Sequence, residues 1–285
     1  MIVSISGARG FIGSALTRAF HANGWTVKSI NRESLNMPDD EFIKEKIEGC
    51  DVVINLAGAN ISSKWTEAYK KEILDSRIMV TGKIVSSILA CSEKPRLLIS
   101  ASGIDIYDTR NTHDESSTSY AGSFLGDVCR QWENEAMKAS EVTRVVLPRM
   151  GMVLGDGGGA LSKMQLPFSL GLGAKTGNGR QLISFIHIKD LVNAYLFIIE
   201  HESLKGPVNL VSPFPVNNRD FSASLGKVLK QPVFLTIPGK VLRLIYGEGA
   251  VLLLESHKVL PGKLTTMGFH FNYPTINGAL INLLG

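Results

Sequence analysis

The stretch SISGARGFIGSAL, residues 4–16, decides the fold of this chain. It joins an apolar run, IVSIS, to a helix-like segment and places Gly7, Gly10 and Gly13 between them. The first glycine of such a pattern permits a tight turn, the second lets a pyrophosphate approach the backbone, and the third lets the helix pack on the sheet. Exposed N–H groups at the helix start then favour an anion. The pattern predicts a dinucleotide-binding loop; the alternative is a glycine-rich turn that binds nothing.

We expect cofactor contacts from the whole loop, that is from Gly7, Arg9, Gly10, Phe11, Ile12 and Gly13. The end of the second predicted strand, 26–30, distinguishes NAD from NADP. An acidic residue there usually holds the ribose 2′-hydroxyl of NAD, but this chain has Asn31 and Arg32. A guanidinium suits a 2′-phosphate, so NADP(H) is favoured over NAD(H), and Arg9 offers a second positive charge. The alternative for each arginine is a solvated loop residue.

Apolar runs and helix-like segments alternate along the chain, which is typical of a parallel sheet with helices on both faces. The predicted strands are 2–6, 26–30, 51–57, 96–102 and 143–149. The predicted helices follow the glycine loop as far as Gly24 and then lie at 66–91, 123–139 and 188–202, with further helices from near Asn218 and around 238–257. Strand 51–57 ends in small residues that let a cofactor cross the sheet edge, namely Leu56, Ala57 and Gly58.

The fold class is therefore α/β, a Rossmann-type doubly wound parallel sheet with a smaller C-terminal lobe. After about residue 150 the regular alternation of strands and helices gives way to glycine-rich loops. We assign residues 1–155, plus about 184–212, to an NADP-binding Rossmann domain. Residues of about 156–183 and 213–285 form the smaller, substrate-side lobe.

Composition and charge narrow the function classes. The 285 residues include 44% hydrophobic and 20% charged residues, and 30 basic against 26 acidic residues give a net charge of +4. No basic run carries interleaved aromatic residues, so we expect no nucleic-acid partner. Apolar stretches are too short to span a membrane, and MIVSISG lacks the pattern of a signal peptide. The three cysteines are far apart without a CxxC motif, which predicts no metal site, no disulfide framework and a reducing, cytoplasmic location.

Longer motifs resemble the extended short-chain dehydrogenase/reductase superfamily, also called the NAD-dependent epimerase/dehydratase superfamily. They are SGARGFIG (6–13), NLAG (55–58), SASGIDIYD (100–108), LPRMGMVLG (147–155) and FIHIKDL (185–191). The stretches WTEAYKKEILDSR (65–77), FLGDVCRQWE (124–133) and LLLESHKVLPGKL (252–264) are similar to a narrower group, short-chain dehydrogenase/reductase family 39U member 1 and its YfcH-like bacterial relatives. That group carries a C-terminal domain of unknown function, which matches here at roughly 235–282.

The resemblance implies a Rossmann core with NADP(H) and assigns particular positions. Asn31 and Arg32 would hold the adenosine phosphate end, and Leu56 and Ala57 would line the dinucleotide. It also implies cofactor contacts from three further residues, Glu72, Arg77 and Val153. Glu72 and Arg77 stand five residues apart on a predicted helix and point in different directions, so their alternative is two surface residues.

Two departures from the family pattern bear on the substrate. The family often has Glu after LAG, where this chain has Ala59, and GYYG after the fourth strand, where this chain has Asp105-Ile106-Tyr107-Asp108. The first change removes a polar contact, and the second alters the lining of the expected substrate pocket.

The catalytic set of the superfamily is incomplete in this chain. A Ser, a Tyr and a Lys usually orient the substrate oxygen and transfer its proton, while nicotinamide transfers the hydride. Ser102 fits the Ser position, but Leu125 and Cys129 align with the Tyr and the Lys. Ser102 and Tyr107 are our candidate catalytic residues; each is alternatively a residue of the loop or the pocket wall. Other possible proton donors are Tyr120, His187 and Cys129, each with a structural alternative.

These observations predict an NADP(H)-dependent oxidoreductase or epimerase of an unidentified small molecule, with a possible homodimer. The alternative is a catalytically degenerate NADP(H)-binding sensor or scaffold, which the missing Tyr and Lys motivate.

Overall fold

A computed structural model describes residues 1–31, 33, 35 and 40–285 of the chain. The strands of its main sheet are β1 (Ile2–Ser6), β2 (Thr26–Ile30), β3 (Val52–Asn55), β4 (Leu97–Ser100), β5 (Ser102–Gly103), β7 (Arg144–Met150) and β12 (Gly206–Leu210). Six of them lie side by side in the order β12-β7-β4-β3-β1-β2, β5 adds to the end of β7, and all pairs are parallel. This topology confirms the predicted Rossmann-type α/β fold.

Shorter strands pair two by two outside this sheet. They are β6 (Thr112–His113), β8 (Met152–Leu154), β9 (Ala174–Thr176), β10 (Leu182–Ile183), β11 (Phe185–His187), β13 (Val216–Asn217), β14 (Leu235–Ile237) and β15 (Lys258–Val259). The parallel pair formed by β8 and β11 carries the chain from the main sheet into the smaller lobe.

The α-helices are Phe11–Ala22, Glu41–Ile47, Glu67–Ala90, Phe124–Met137, Gly159–Ser169, Ile188–Glu200, Asn218–Val228, Gly239–Tyr246, Val251–Leu254, Gly262–Thr266 and Ile276–Leu284, with 3₁₀ turns at Ile104–Ile106 and Gly247–Ala250. Several begin at side chains that accept a backbone N–H. Thr66 accepts from Tyr69, and Ser123 accepts from Gly126. These caps satisfy N–H groups that have no partner inside the helix, so they fix where each helix starts.

Both faces of the main sheet are covered by helices. On one face, Ile5 and Ile54 pack with Leu16 of the first helix and Ile198 of the helix 188–200. On the other face, Val53 and Leu98 pack with Ile84 and Ala136 from the helices 67–90 and 124–137. Strands β3 and β4 are buried along their whole length, as expected for parallel strands between two helical layers.

The smaller lobe has its own core, in which Phe185 packs with Phe221, Leu225 and Leu280. The prediction of a single helix around 238–257 is wrong, because two short helices and a 3₁₀ turn form there. Gly247 adopts φ +60° where the first of these helices ends, a conformation that favours glycine. β12 lies in the main sheet, inside the range assigned to the larger domain; the exact division stays a prediction. No helix in the described part of the chain is long and apolar enough to cross a membrane.

Candidate nucleotide and substrate site

The crevice for a nucleotide is set by the order of the strands. From β1 the chain runs to β2 on one side and then crosses to β3 on the other. In a doubly wound sheet, the carboxyl ends of strands at such a reversal leave an open crevice, where ligands bind. The glycine loop follows β1 directly, and the segment Leu56–Gly58 follows β3, so both lie at this point.

The glycine loop has the geometry that close phosphate contact requires. Gly7 adopts φ +82°, and its carbonyl accepts from the Gly10 N–H at 3.0 Å. A Cβ on Gly13 would lie 2.2 Å from the Gly7 carbonyl oxygen, and one on Gly10 would lie 3.2 Å from it. The helix that starts at Phe11 has no side-chain cap, so its first N–H groups are open to a ligand. These features fit a pyrophosphate.

The loop after β3 packs directly against the glycine loop. A Cβ on Gly7 would lie 3.2 Å from the carbonyl carbon of Leu56. Asn55 holds this loop, because its Oδ1 accepts from the Ala57 N–H at 3.2 Å and its Nδ2 donates to Thr81 at 2.9 Å. Leu56 and Ala57 are half-buried and Gly58 is exposed, which leaves the crevice side of this loop accessible.

Phe11 and Val153 lie at the third wall of the crevice. The Phe11 ring packs on the loop after β8, where a Cβ on Gly158 would lie 2.4 Å from it. The Phe11 side chain therefore serves packing, and the contact open to a ligand is its backbone. Ile12 and Val153 both pack, partly buried, against the same core cluster at this end of the sheet.

Three predicted residues concern the adenosine end of the cofactor. Arg9 is exposed in the glycine loop. Asn31 is half-buried directly after Ile30, which pairs with Ser6 of β1, so it lies beside the start of the loop. Arg32 lies outside the described residues.

Arg77 reaches the crevice, whereas Glu72 does not approach the same loop. The Arg77 guanidinium donates to the carbonyls of Ala59 at 3.2 Å and Ile73 at 3.0 Å, and a Cβ on Gly58 would lie 2.9 Å from its Cζ. Burial lowers the pKa of Arg77. Glu72 is exposed and lines a shallow hollow with Leu35 on another face of the helix 67–90. The different directions expected from their spacing are confirmed.

Ser102 and Tyr107, the candidate catalytic residues, belong to a buried polar network. Ser102 Oγ donates to Glu133 Oε1 at 2.7 Å, and Arg149 donates to both oxygens of Glu133 at 2.7 Å. Arg149 also donates to the Tyr107 hydroxyl at 2.8 Å, and that hydroxyl donates to Asn209 Oδ1 at 2.9 Å. The network ties β5, β7 and β12 to the helix 124–137.

The burial of Ser102 and Tyr107 indicates the role of this network. Tyr107 is 0% exposed and Ser102 is 2% exposed. Burial raises the pKa of Tyr107, and Arg149 and Asn209 oppose that rise. Burial would lower the pKa of Arg149, but its hydrogen bonds and charge interaction with Glu133 raise it. The network therefore holds strand ends together, and this arrangement disfavours a direct role for the Tyr107 hydroxyl in proton transfer.

Leu125 and Cys129, which are predicted to stand at the Tyr and Lys positions of the superfamily, have different surroundings. Leu125 lines a cavity, whereas Cys129 is buried, with its sulfur 3.4 Å from the Cβ position of Gly103. Burial, with the nearby charges of Asp105 and Glu133, raises the pKa of the Cys129 thiol to about 12. Cys129 is therefore a neutral packing residue near neutral pH.

His187, another possible proton donor, is a helix cap. Its Nδ1 accepts from the Lys189 N–H at 3.0 Å, and its ring stacks on Tyr273 at 4.0 Å. Burial lowers the pKa of His187 to about 4, so the ring is neutral. Asp190 next to it accepts from the backbone N–H groups of Asn272 and Tyr273, so both residues serve the structure.

A cavity of about 480 Å³ opens between the helix 124–137 and the C-terminal segment 243–255. Its apolar walls include Trp65, Phe124, Leu125, Val251 and Leu254, and its charged lining residues are Asp105, Glu255, Glu248 and Arg243. Next to it, His257 Nε2 lies 3.9 Å from Asp105 Oδ1 and 3.9 Å from Glu255 Oε2. In the described ranges, no group of three or more His, Cys, Asp or Glu side chains is placed to hold a metal ion.

Sequence reasoning missed Glu133, Glu255 and His257. Glu133 lies on the buried face of the helix 124–137, and a Glu at such a position is a signal in itself. Glu255 and His257 come from the far end of the chain, and no local pattern connects them with Asp105.

The profile of the NAD-dependent epimerase/dehydratase family matches residues 3–211. The chain belongs to this family. A second profile, a domain of unknown function called DUF1731, matches residues 237–283. The family assignment agrees with the strand order and glycine loop described above, and it confirms the resemblance found in the sequence.

Three relatives extend the comparison over the whole chain. The epimerase family protein SDR39U1 of Mus musculus is 36% identical over 98% of both chains. A chloroplastic SDR39U1 homologue of Arabidopsis thaliana is 37% identical over 98% of this chain and 86% of its own length. A crystal structure of human SDR39U1 with NADPH superposes with a TM-score of 0.91 at 31% identity, covering 100% of this chain and 99% of the human one.

Proposed function

We propose that this protein binds NADP(H) and is an oxidoreductase or epimerase of a small molecule that enters the 480 Å³ cavity. The observation that carries the proposal is the convergence of the glycine loop, with its uncapped helix start, and the Leu56–Gly58 loop at one crevice. The human family member solved with NADPH supports the choice of cofactor.

Different residues of the chain bind different parts of the cofactor. The N–H groups after Gly10 bind the pyrophosphate, and Leu56 and Ala57 line the dinucleotide where it crosses β3. Asn31 and, on sequence grounds, Arg32 take the 2′-phosphate. When bound, the cofactor supplies or accepts a hydride. Arg77 holds the backbone next to Gly58 in place through its hydrogen bond to the Ala59 carbonyl.

The first test is a fluorescence titration with NADPH and NADH. We expect tighter binding of NADPH, and an Arg32→Ala variant that loses this selectivity. Equal affinity for the two nucleotides would remove NADP(H) preference from the proposal, and no binding of either would refute it.

A glycine series tests the geometry of the loop. Gly10→Ala adds a methyl group where the pyrophosphate approaches, at 3.2 Å from the Gly7 oxygen, so we expect weaker NADPH binding with little loss of stability. Gly122→Ala is the matched control, because no atom lies within 4 Å of its Cβ position. Equal NADPH affinity in Gly10→Ala and the control would contradict pyrophosphate binding at this loop.

A second candidate function is a catalytically degenerate NADP(H)-binding sensor or scaffold. It is favoured by the burial of Ser102 and Tyr107, together with Leu125 and Cys129 at the positions of the superfamily's Tyr and Lys. A variant that abolishes NADPH binding distinguishes the two functions. The sensor hypothesis predicts that cellular phenotypes depend on NADPH binding and survive every substitution in the cavity.

A further inference from the structure

Three titratable side chains from distant parts of the chain meet beside the cavity. Asp105 comes from the 3₁₀ turn after β5, and Glu255 and His257 come from the segment before β15. His257 Nε2 lies 3.9 Å from a carboxylate oxygen of each acid. The His257 side chain is 13% exposed, against 25% for Asp105 and 38% for Glu255, so the imidazole lies behind two carboxyl groups that reach the cavity.

The hydrogen bonding of these groups is incomplete. His257 Nδ1 is buried and has no hydrogen-bond partner among the described residues. Neither carboxyl group forms an ion pair with Lys or Arg in the described part of the chain; the His257 imidazole lies 3.9 Å from each. A buried polar group without a partner costs stability, so it calls for an explanation, and a catalytic role is one such explanation.

We propose that Asp105, Glu255 and His257 form the proton-transfer site of the cavity and replace the absent Tyr and Lys. Asp105 and Glu255 contact the substrate, and His257, which lies behind both carboxyl groups, is a positioning residue. The proposal rests on the NADP(H)-dependent function proposed above, and it assigns that function an acid/base group.

The position of the cluster suits this role. Leu125, at the place of the superfamily's Tyr, lines the same cavity as Asp105 and Glu255. Asp105 Oδ2 lies 3.2 Å from the Cβ position of Gly103, the end of β5. Arg77 donates to the Ala59 carbonyl next to the nucleotide crevice and also interacts electrostatically with Asp105. The cluster is thus electrostatically coupled to the cofactor crevice.

The surroundings of Glu255 favour its protonated form. Burial raises the pKa of Glu255, the charge of His257 lowers it, and the charge of Asp105 raises it again. The negative charge of one carboxylate favours the protonated form of the other. The other titratable or charged groups near the cluster include Arg77, Cys129, Glu133, Arg243, Glu248 and Lys258.

The reaction step balances with the cofactor as the source of the hydride. Reduction of a carbonyl adds a hydride to the carbon and a proton from the cluster to the oxygen. The products are an alcohol, NADP⁺ and a deprotonated cluster, which regains its proton from water. Alcohol oxidation is the reverse.

The test uses the charge difference between the two cofactor forms and needs no substrate. The nicotinamide of NADP⁺ is positively charged and that of NADPH is neutral, so NADP⁺ beside the cluster favours its deprotonated form. The 2′-phosphate is common to both nucleotides, and its protonation cancels in their comparison. Calorimetric titration of wild-type protein, in two buffers of different ionisation enthalpy between pH 6 and 9, measures protons released on binding.

We expect NADP⁺ to release more protons than NADPH. We also expect the ratio of their dissociation constants to change about tenfold in favour of NADP⁺ as the pH rises. Asp105→Asn and Glu255→Gln will reduce the difference, and His257→Gln will shift its pH range. Glu248→Gln will not change it, because this cavity carboxylate is paired with Lys70 at 2.8 Å.

Each outcome has a separate meaning. If both nucleotides bind and release equal numbers of protons at every pH, the cluster is not the proton-transfer site, while the cofactor proposal stands. The same holds if the difference persists in both carboxylate variants. If neither nucleotide binds, both the proposed function and this inference are wrong.

Discussion

Replacing Tyr107 by Phe separates a structural role of this hydroxyl from a chemical one. The hydroxyl donates to Asn209 Oδ1 at 2.9 Å and accepts from Arg149 at 2.8 Å, with the residue 0% exposed. Losing one neutral and one charge-assisted bond, and leaving Arg149 and Asn209 without that partner, will lower the free energy of unfolding by about 3 kcal/mol. NADPH affinity will be unchanged, because the hydroxyl lies in the strand-end network.

The assay is urea denaturation followed by circular dichroism, together with an NADPH titration of each variant. Tyr120→Phe is the matched control: its ring lies 5.9 Å from Arg149 Cζ, the residue is 45% exposed, and its hydroxyl has no hydrogen-bond partner in the described part of the chain. We expect the control to change stability by less than about 0.5 kcal/mol. Wild-type stability in Tyr107→Phe, or a loss of stability as small as that of the control, would refute the structural assignment.

Three further predictions follow from buried groups. The pKa of His187 is lowered to about 4 by burial, so wild-type stability will fall as the pH drops from about 6.5 towards 4, by about 3 kcal/mol in all. His187→Asn, which keeps a helix-capping oxygen, will lack this dependence in urea titrations at several pH values; an equally steep fall in the variant would contradict it. Glu133→Gln leaves Arg149 buried without its counter-charge and will cost about 4 kcal/mol in the same assay; a cost near zero would show that the pair contributes little. Cys129 is 6% exposed with a pKa raised to about 12, so it will react with a thiol reagent at pH 8 only after unfolding; rapid labelling of the native protein, checked by mass spectrometry, would disprove its burial.

Much of the nucleotide crevice could be predicted from short stretches of sequence. Each of its parts is local: a strand followed within a few residues by Gly7, Gly10 and Gly13, or a strand that ends in Leu56 and Ala57. Parallel strands bring their carboxyl ends to one edge, so local patterns place these residues together once the fold class is known. The contact of Gly7 with Leu56 agrees with this reasoning.

The ends of the helices in the C-terminal segment could not be predicted from local sequence patterns. Residues 238–257 have helical spacing, yet the first helix ends at Gly247. The chain then turns so that Val251, Leu254 and Glu255 line the cavity. Tertiary packing against Trp65 decides this path, because the Cβ position of Gly249 lies 3.3 Å from the Trp65 ring. Local propensity is too weak to predict such a break.

The sequence by itself determined the Rossmann-type sheet and the dinucleotide loop, because the patterns that indicate them lie in short stretches of consecutive residues. The replacement of the superfamily's Tyr and Lys by Leu125 and Cys129 stays a prediction. Only the tertiary structure decided the roles of the polar residues. Tyr107 meets Asn209 across 102 positions of sequence. Asp105 meets His257 over a still longer separation. Burial and pairing at such distances depend on how the strands and the C-terminal lobe pack, and these contacts turn Tyr107 into a structural residue and place a carboxyl–histidine cluster beside the cavity.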